Sequence, residues 1–226
     1  VVMTPTPEAT GIPAGLTSVN RDGGDGRYYP ITGDRFDVGR TSGMLLFGDD
    51  GYLSDRHVRL EWRDGAWVLV DLGSLNGTFL RIRNREEVKD GDTLLVGMQV
   101  LKFEMLPAEE RDPAPAVEHG VLYFGTPPRR PWGRLRQVTT AGICRDVLHL
   151  YRSEVVIGRE SGDIVFSDDE FMSRAHTALR NDAGRAYLVD LNSSNGTYLR
   201  IRKERRLAPG DFLRMGDQLL RFTERS

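Results

Sequence analysis

One long internal repeat constrains this sequence more than any other feature. Gly39-Arg40 recurs as Gly158-Arg159, 119 residues later, and the same offset relates Ser54 to Ser173. Positions 39–103 align with the second copy without a gap, and about 30 of about 65 positions are identical. Solenoid units run to about 20–50 residues, so a longer period that occurs twice indicates two duplicated domains.

Each copy has the apolar rhythm of β-strands. Apolar residues alternate with charged ones over 57–62 and again over 100–105. Pairs of turn-forming residues, typical of hairpins, follow or separate such runs: Asp64-Gly65, Ala183-Gly184, Asp90-Gly91 and Pro209-Gly210. Only 108–111 favours a helix. The pattern predicts an all-β chain of two tandem antiparallel β-sandwiches.

Proline marks the boundary between the copies. Six of the eleven prolines lie in a short stretch that predicts an extended linker over 107–131. The linker contains an apolar segment at 121–124, which we expect to pack on a domain because exposed apolar patches are rare. The domains are then expected at 14–106 and 132–225. A Thr/Pro-rich, flexible tail is expected over 1–13.

Composition excludes several classes of protein. With 31 Lys+Arg against 33 Asp+Glu, the net charge of -2 gives no overall field for nucleic acid. No apolar run approaches the roughly 20 residues of a membrane span. The single Cys144 excludes an internal disulfide and a cysteine-based zinc site. No signal peptide is visible, so we expect a cytoplasmic protein. We also expect no metal site and no cofactor.

The copies also share residues that burial does not explain. They lie in loops, in the order Gly-Arg, Ser-x-x-His and Asn-Gly-Thr. This order, in a strand-rich unit of this length that occurs twice, resembles the forkhead-associated (FHA) domain, here in a tandem, bacterial arrangement. The resemblance implies a sandwich of about eleven strands that binds phosphothreonine peptides through loops at one end.

The resemblance also implies a role for each loop residue. The guanidinium groups of Arg40 and Arg159 and the hydroxyls of Ser54 and Ser173 are expected to bind phosphate. Asn76 and Asn195 are expected to pair with the peptide backbone. Loop support, with no catalytic part, is expected from six more residues: Gly39, His57, Gly77, Gly158, His176 and Gly196.

The two copies differ where the phosphate is expected. The second has Arg174, a further cation, and Ser194, a further donor, and both join the predicted site. The first has Asp55 and Leu75 at these positions. Charge-assisted hydrogen bonds contribute about 1.5–3 kcal/mol each, so the first copy is expected to be degenerate and the second to read phosphate.

Both copies also carry arginine, Arg81 or Arg200, where the family often has a buttressing asparagine. This departure bears on which residues around a phosphothreonine the chain selects.

These features together predict a non-enzymatic adaptor in Ser/Thr kinase signalling. Its expected partner is a phosphothreonine protein or peptide, such as a Ser/Thr kinase or a kinase substrate, with no nucleic acid and no membrane. The alternative is a phosphate-independent scaffold or self-association module. One route to self-association is phosphorylation of a tail threonine (Thr4, Thr6 or Thr10) that docks at Arg159 of a second molecule.

A hydrolase would need Ser-x-x-His to act with Asp71 or Asp190. It is disfavoured because nucleophile-elbow glycines are missing from the sequence.

Overall fold

The computed structural model describes residues 2–3, 13–111, 114–127 and 129–224. A two-residue strand, β1 (Val2–Met3), precedes the first repeat. Ten strands follow: β2 (Ala14–Val19), β3 (Asp25–Pro30), β4 (Arg35–Gly39), β5 (Leu45–Leu46), β6 (Val58–Arg63), β7 (Ala66–Asp71), β8 (Thr78–Arg81), β9 (Glu86–Val88), β10 (Thr93–Val96) and β11 (Gln99–Met105).

The linker holds one turn of helix and a short hairpin: α1 (Ala108–Arg111), β12 (Val117–Glu118) and β13 (Val121–Leu122). The second repeat again has ten strands: β14 (Gly133–Val138), β15 (Cys144–Leu150), β16 (Glu154–Gly158), β17 (Ile164–Val165), β18 (Thr177–Asp182), β19 (Arg185–Asp190), β20 (Thr197–Arg200), β21 (Glu204–Arg206), β22 (Phe212–Met215) and β23 (Gln218–Glu224). The all-β prediction is confirmed.

The alternating pattern that predicts strands corresponds to alternating burial. In β6 the side chains of Val58 and Leu60 are fully buried, and in β11 those of Leu101 and Phe103 are. The intervening residues are partly or fully exposed. Successive side chains of a strand point to opposite faces, so one face of β6 and of β11 lies in the core and the other is turned toward solvent.

The predicted turns fall into two kinds. Asp64-Gly65 has positive φ at both residues, 50° and 72°, and closes the β6–β7 hairpin. Ala183-Gly184 does the same between β18 and β19. Asp90-Gly91 is a turn but not a hairpin turn, because β9 pairs with β19 and β10 pairs with β11. Pro209-Gly210 likewise joins β21, which pairs with β7, to β22, which pairs with β8 and β23.

The chain forms two compact units, and each takes strands from both repeats. Unit 1 consists of residues 1–81 and 198–226, and unit 2 consists of residues 82–197. The first repeat therefore contributes its last three strands, β9–β11, to unit 2, and the second repeat contributes its last four, β20–β23, to unit 1. The domains 14–106 and 132–225, which follow the sequence repeat, stay a prediction.

Unit 1 is built from two sheets. One has the strand order β1-β5-β4-β6-β7-β21, and the other contains β20-β8-β22-β23-β2-β3. All neighbours within them are antiparallel except the parallel pair β4–β5. Its core mixes both repeats: Leu16 and Phe36 of the first pack in one cluster with Leu213, Leu220 and Phe222 of the second. The exchanged strands are thus part of the hydrophobic core.

Unit 2 repeats this arrangement with the roles of the repeats reversed. Its sheets have the orders β17-β16-β18-β19-β9 and β15-β14-β11-β10. Leu101 and Phe103 of the first repeat and Leu135 of the second are fully buried. Phe103 also lies against Trp132, with ring centroids 5.9 Å apart. Core formation therefore requires residues of both repeats in this unit too.

The apolar segment of the linker does not pack as expected. Strands β12 and β13 pair with each other around the turn at His119-Gly120, and the Tyr123 hydroxyl donates to the Glu118 carboxylate. The side chains of 121–124 are exposed, and Phe124 is 105% exposed. The expectation that they pack on a domain is wrong. The hairpin satisfies backbone hydrogen bonds internally, so polar-group satisfaction does not force it onto a domain.

The predicted tail, with Thr4, Thr6 and Thr10, lies largely outside the described residues. Within the described part of the chain, no helix is long and apolar enough to cross a membrane.

Candidate functional site

The Gly-Arg pairs lie at the ends of β4 and β16, where two loops meet. A Cβ atom on Gly39 would lie 2.1 Å from the carbonyl oxygen of Asp55, and one on Gly158 would lie 2.1 Å from that of Arg174. Only glycine permits this approach. The backbone N–H of the following arginine, Arg40 or Arg159, then donates to the carbonyl of Ser54 or Ser173 at 3.0 Å.

A buried histidine joins the serine loop to the Asn-Gly loop. In unit 1, Nδ1 of His57 accepts a hydrogen bond from the backbone N–H of Ser54 at 3.2 Å. Its Nε2 therefore carries the proton and donates to the carbonyl of Gly77 at 3.1 Å. Burial lowers the pKa of His57 below its usual value. The imidazole is thus held neutral, with each nitrogen committed to one loop.

His176 repeats this connection in unit 2. Its Nδ1 accepts from the Ser173 N–H at 3.0 Å, and its Nε2 lies 3.1 Å from the Gly196 carbonyl. The loop-support role predicted for both histidines is consistent with these bonds and stays a prediction.

The aspartates at the ends of β7 and β19 hold the turn that leads into Asn-Gly. Although burial alone would raise it, the pKa of Asp71 is lowered by hydrogen bonds from Ser74 and Thr78. The Ser74 hydroxyl donates to Asp71 at 2.7 Å and the Thr78 hydroxyl at 2.8 Å. Asp190 accepts the equivalent bonds from Ser193 and Thr197.

This arrangement differs from the relay that a Ser-His-Asp triad requires. The bond between Ser54 and His57 uses the backbone N–H of the serine and not its hydroxyl. The carboxylate of Asp71 is bonded to Ser74 and Thr78, and His57 donates to a backbone carbonyl instead. The same holds for Ser173 and His176. These serines and histidines are arranged to shape loops.

The predicted serine hydroxyls bond the backbone just before the predicted asparagines in both units. The hydroxyl oxygen of Ser54 accepts the N–H of Leu75 at 3.1 Å, and that of Ser173 accepts the N–H of Ser194 at 3.1 Å. A hydroxyl that accepts one bond still has its own proton to donate to a ligand.

The asparagines are anchored on the neighbouring loop. Nδ2 of Asn76 donates to the Tyr52 carbonyl at 2.8 Å, and Nδ2 of Asn195 donates to the Phe171 carbonyl at 2.8 Å. The amide oxygen of each asparagine is not used in these bonds and is the atom suited to accept from a peptide N–H.

The charges at the two sites differ. In unit 1 the Arg40 guanidinium is 2.9 Å from the Asp55 carboxylate, and this bond lowers the pKa of Asp55. Nε of Arg40 is buried and has no hydrogen-bond partner in the described structure. The phosphate-binding arginine predicted for the first repeat is therefore already paired with an anion of its own loop.

In unit 2 two arginines meet one carboxylate. Arg159 Nη2 lies 2.9 Å from one oxygen of Glu160, and Arg174 Nε lies 3.1 Å from the other. The three side chains carry a formal charge of +1, whereas Arg40 and Asp55 together carry none. The structure brings Arg159 and Arg174 to one carboxylate, and their binding to phosphate stays a prediction.

Sequence reasoning missed three supporting features. Glu160, where the first repeat has Thr41, had no recognisable role until its contact with both arginines was known. Two buried acids, Asp50 and Asp169, support the loops that carry Tyr52 and Phe171 through bonds to the backbone N–H groups of those aromatics, both 3.0 Å. The signal for these acids is present in the repeat, because Asp-Asp occurs in both copies at the same register.

Arg200, which replaces the family's frequent asparagine, has a defined position in unit 1. Its Nη2 donates to the carbonyl of Ser74 at 3.3 Å. A Cβ atom on Gly77, where φ is +84°, would lie 2.2 Å from Nε of Arg200. The glycine of Asn-Gly thus allows both the left-handed turn and the close approach of this arginine.

Among the described residues, no group of three or more His, Cys, Asp or Glu side chains is arranged to hold a metal ion.

Comparison with known proteins places these loops in a family context. The FHA domain family matches residues 36–97 and 155–216, more than half of the chain. An oxoglutarate dehydrogenase inhibitor of Corynebacterium diphtheriae is 34% identical over 92 residues, which are 40% of this chain and 64% of that protein.

The FHA domain-containing protein FhaB of Mycobacterium tuberculosis is 46% identical over 69 residues, or 29% of this chain and 44% of FhaB. The chain thus spans less than two thirds of the length of either relative. The structure of Mycobacterium tuberculosis EmbR in complex with a low-affinity phosphopeptide matches with 25% identity and a TM-score of 0.22, covering 39% of this chain and 27% of EmbR. By its two family matches, the chain belongs to the FHA domain family and carries two copies of the domain sequence.

Proposed function

We propose that the chain is a non-enzymatic adaptor that binds phosphothreonine proteins in Ser/Thr kinase signalling, and that the site in unit 2 is the stronger reader. FHA domains are phosphothreonine-binding modules, and relatives of this chain are named as regulators or inhibitors. The partner is a phosphorylated kinase or kinase substrate.

The convergence of Arg159 and Arg174 on the Glu160 carboxylate is the observation that carries the proposal. A carboxylate presents two anionic oxygens to the two guanidinium groups, and a phosphate monoester would present three with a charge of about -1.5 to -2. Arginine forks match both groups, so a phosphothreonine would replace Glu160 between the arginines.

Neighbouring groups complete the expected contacts. The hydroxyls of Ser173 and Ser194 lie in the same loop pair, since the Ser194 N–H donates to Ser173 Oγ at 3.1 Å. The amide of Asn195 sits on the adjacent loop, where an extended peptide backbone would pass. In this proposal, Ser173 and Ser194 donate to phosphate and Asn195 holds the peptide.

Titration of a degenerate phosphothreonine peptide library and its unphosphorylated twin against the full chain tests the proposal. We expect binding only to the phosphorylated library, with loss of about 100-fold or more in Arg159→Ala because charge-assisted bonds are removed. Arg40→Ala, the matched variant in unit 1, should leave this binding nearly unchanged. Equal binding of both libraries would refute the proposal.

The pairing of Arg40 with Asp55 supports a second function for the unit 1 site. With its arginine neutralised and Leu75 84% exposed beside Ser54, this loop pair presents apolar surface where unit 2 presents donors. The site in unit 1 would then serve phosphate-independent binding, including self-association. Sedimentation of the unphosphorylated chain, with Leu75→Ser as the test variant, distinguishes this role from simple loss of function.

A further inference from the structure

The last strands of each repeat could pair either with the other repeat, as in units 1 and 2 (mixed units), or with their own repeat (self-contained repeats). We propose that the charges on these exchanged strands select the mixed units, so that the last strands of each repeat support the phosphate loops of the other. The interaction surface is formed by the edges of β2, β7, β14 and β19, and its partner is the C-terminal segment of the opposite repeat of the same chain. The strand pairing does not depend on the proposed function, whereas the effect on binding rests on it.

The fully buried residues of the exchanged strands do not choose between the two arrangements. The register is the same in both units: Leu69 is paired with Arg205, and the equivalent Leu188 is paired with Glu86. On these strands Leu94, Leu101 and Phe103 of the first repeat correspond to Leu213, Leu220 and Phe222 of the second, and all six are fully buried. The choice must come from positions where the repeats differ.

Charge is the clearest such difference. In unit 1, Arg63 of the first repeat pairs with Glu204 of the second at 3.1 Å. In unit 2, Arg85 of the first repeat pairs with Asp182 of the second at 2.8 Å. Arg85 also lies over the ring of Tyr187, 3.5 Å from its centroid.

Self-contained repeats would reverse the sign of both contacts. The repeat register makes Arg63 equivalent to Asp182 and Arg85 equivalent to Glu204. A self-contained first repeat would therefore place Arg63 against Arg85, and a self-contained second repeat would place Asp182 against Glu204. Two attractive pairs would become two repulsive ones.

A neighbouring pair gives the same result. Arg185 of the second repeat lies 2.9 Å from Glu87 of the first. The residue equivalent to Glu87 is Arg206, so a self-contained second repeat would bring Arg185 against Arg206. Single exposed pairs contribute little, but three of the replacement contacts (Arg63–Arg85, Asp182–Glu204 and Arg185–Arg206) would be repulsive.

The other edge of unit 2 adds a more buried network. Glu104 of the first repeat accepts from Arg134 at 2.5 Å and from Arg136 at 2.8 Å, and these bonds lower the pKa of Glu104 against the effect of its burial. The equivalents of these arginines in the first repeat are Gly15 and Thr17. A self-contained first repeat would thus leave Glu104 without a cation.

The exchange also determines which repeat supports each site. In unit 2 the buried Asp169 accepts from the Met98 N–H and from Nε2 of Gln99, both at 2.8 Å. These donors belong to the first repeat. The other oxygen of Asp169 holds the Phe171 N–H, and the Phe171 carbonyl anchors Asn195. Gln99 is thus a positioning residue for the second repeat's site.

Unit 1 has the mirror arrangement. Asp50 of the first repeat accepts from the Asp217 N–H at 2.9 Å and from Nε2 of Gln218 at 2.8 Å. Its other oxygen holds the Tyr52 N–H, and the Tyr52 carbonyl anchors Asn76. Gln218 of the second repeat is thus the equivalent positioning residue for the first repeat's site.

Disulfide trapping in the full chain tests the pairing. In a Cys144→Ser background, one variant combines Tyr187→Cys with Glu87→Cys, which are opposed in the β9–β19 register. Its matched control combines Tyr187→Cys with Arg206→Cys, the pair that self-contained repeats would oppose. Opposed antiparallel residues have Cα atoms about 4.5–5.5 Å apart, within disulfide range.

We expect an intrachain 187–87 disulfide to form at least about tenfold faster than the 187–206 disulfide. A faster 187–206 disulfide, or a 187–87 disulfide formed only between two chains, would overturn the proposal. Arg85→Glu with Glu204→Arg then exchanges the charges at constant composition, and the ratio of the two products should fall about tenfold, because four charge contacts change sign. An unchanged ratio would overturn selection by charge.

A binding measurement tests the second part of the proposal, that the first repeat supports the second repeat's site, without those variants. Gln99→Ala should weaken phosphopeptide binding by the unit 2 site about fivefold. This is less than the full effect of losing a hydrogen bond to a charged group, because Gln99 acts on the site only through Asp169. Gln218→Ala, the matched variant, should leave it unchanged. The reverse order would show self-contained repeats. If wild-type chain binds no phosphopeptide, the proposed function fails, while the disulfide ratio still decides the strand pairing.

Discussion

In both units a buried histidine bonds the serine loop on one side and the Asn-Gly loop on the other, with distances that agree within 0.2 Å (3.2 and 3.1 Å for His57, 3.0 and 3.1 Å for His176). Duplication has kept this frame while the charges around it have diverged. Arg40 faces Asp55, whereas Arg159 and Arg174 share Glu160. The comparison separates the residues that shape the loops from those that we propose select a ligand.

The largest expected effect comes from disturbing the shared frame in unit 2, the site that we propose is the stronger. Gly158→Ala places a Cβ atom 2.1 Å from the Arg174 carbonyl oxygen, so the loop that carries both arginines must move. We expect phosphopeptide affinity to fall about 100-fold, as two charge-assisted bonds are lost, and stability to fall about 1–3 kcal/mol.

Gly39→Ala is the matched control, because its Cβ atom would meet the Asp55 carbonyl at the same 2.1 Å. It should destabilise the chain by a similar amount and leave phosphopeptide affinity nearly unchanged. Calorimetric titration and thermal melts of both variants give the two quantities. Equal loss of affinity in both would mean that the sites do not differ as proposed.

The next largest effect is expected from giving unit 1 the groups that only the unit 2 site has. Asp55→Arg with Leu75→Ser supplies unit 1 with the cation and hydroxyl that Arg174 and Ser194 supply in unit 2. In an Arg159→Ala background, these changes should raise phosphopeptide affinity about 10- to 100-fold, since each new charge-assisted bond contributes about 1.5–3 kcal/mol before costs.

The reverse pair, Arg174→Asp with Ser194→Leu in the otherwise native chain, should lower affinity by a similar factor. Fluorescence anisotropy with one labelled phosphopeptide measures both. If neither pair changes affinity, residues outside these positions set the difference between the sites.

A smaller change in phosphopeptide affinity is expected from substitution of Glu160. It occupies the two arginines that the proposed phosphate would use, so Glu160→Gln should raise phosphopeptide affinity about three- to fivefold, the scale of an exposed ion pair. Asp55→Asn removes the corresponding anion in unit 1 and should have no effect on binding at unit 2. A decrease in affinity for Glu160→Gln would show that Glu160 positions the arginines and does not compete for them.

Much of this fold and site is predictable from the sequence because the signals are local. Alternation in β6 and β11, positive-φ turns at Asp64-Gly65, and the Gly-Arg and Asn-Gly loops all depend on residues close together in the chain. The strand exchange is not predictable in this way. Two repeats with one register offer each strand two equivalent partners, and the charge contacts that favour one of them join residues far apart in the chain.

The role of Glu160 was hidden for a related reason. Its effect depends on Arg174, which is distant in sequence and reaches the carboxylate only when the loops meet. The exposure of 121–124 was mispredicted because apolar composition was taken to require burial. A hairpin with satisfied backbone bonds can leave such side chains in solvent.

The smallest expected effect concerns pH. Burial lowers the pKa of His57 from 6.5, so the unfolded chain takes up a proton first as the pH falls. The stability that neutral His57 contributes is complete above about pH 6.5 and is lost as the pH falls through the folded-state pKa. The melting temperature of the full chain should therefore fall between pH 7.5 and pH 5.5, by about 2–4 °C for a loss near 1 kcal/mol.

His57→Gln should reduce this fall, because the side chain that binds the extra proton in the unfolded state is gone. Melts of wild type and His57→Gln at the two pH values measure the difference. An equal fall in wild type and His57→Gln would show that protonation of this histidine does not cause the loss of stability at low pH.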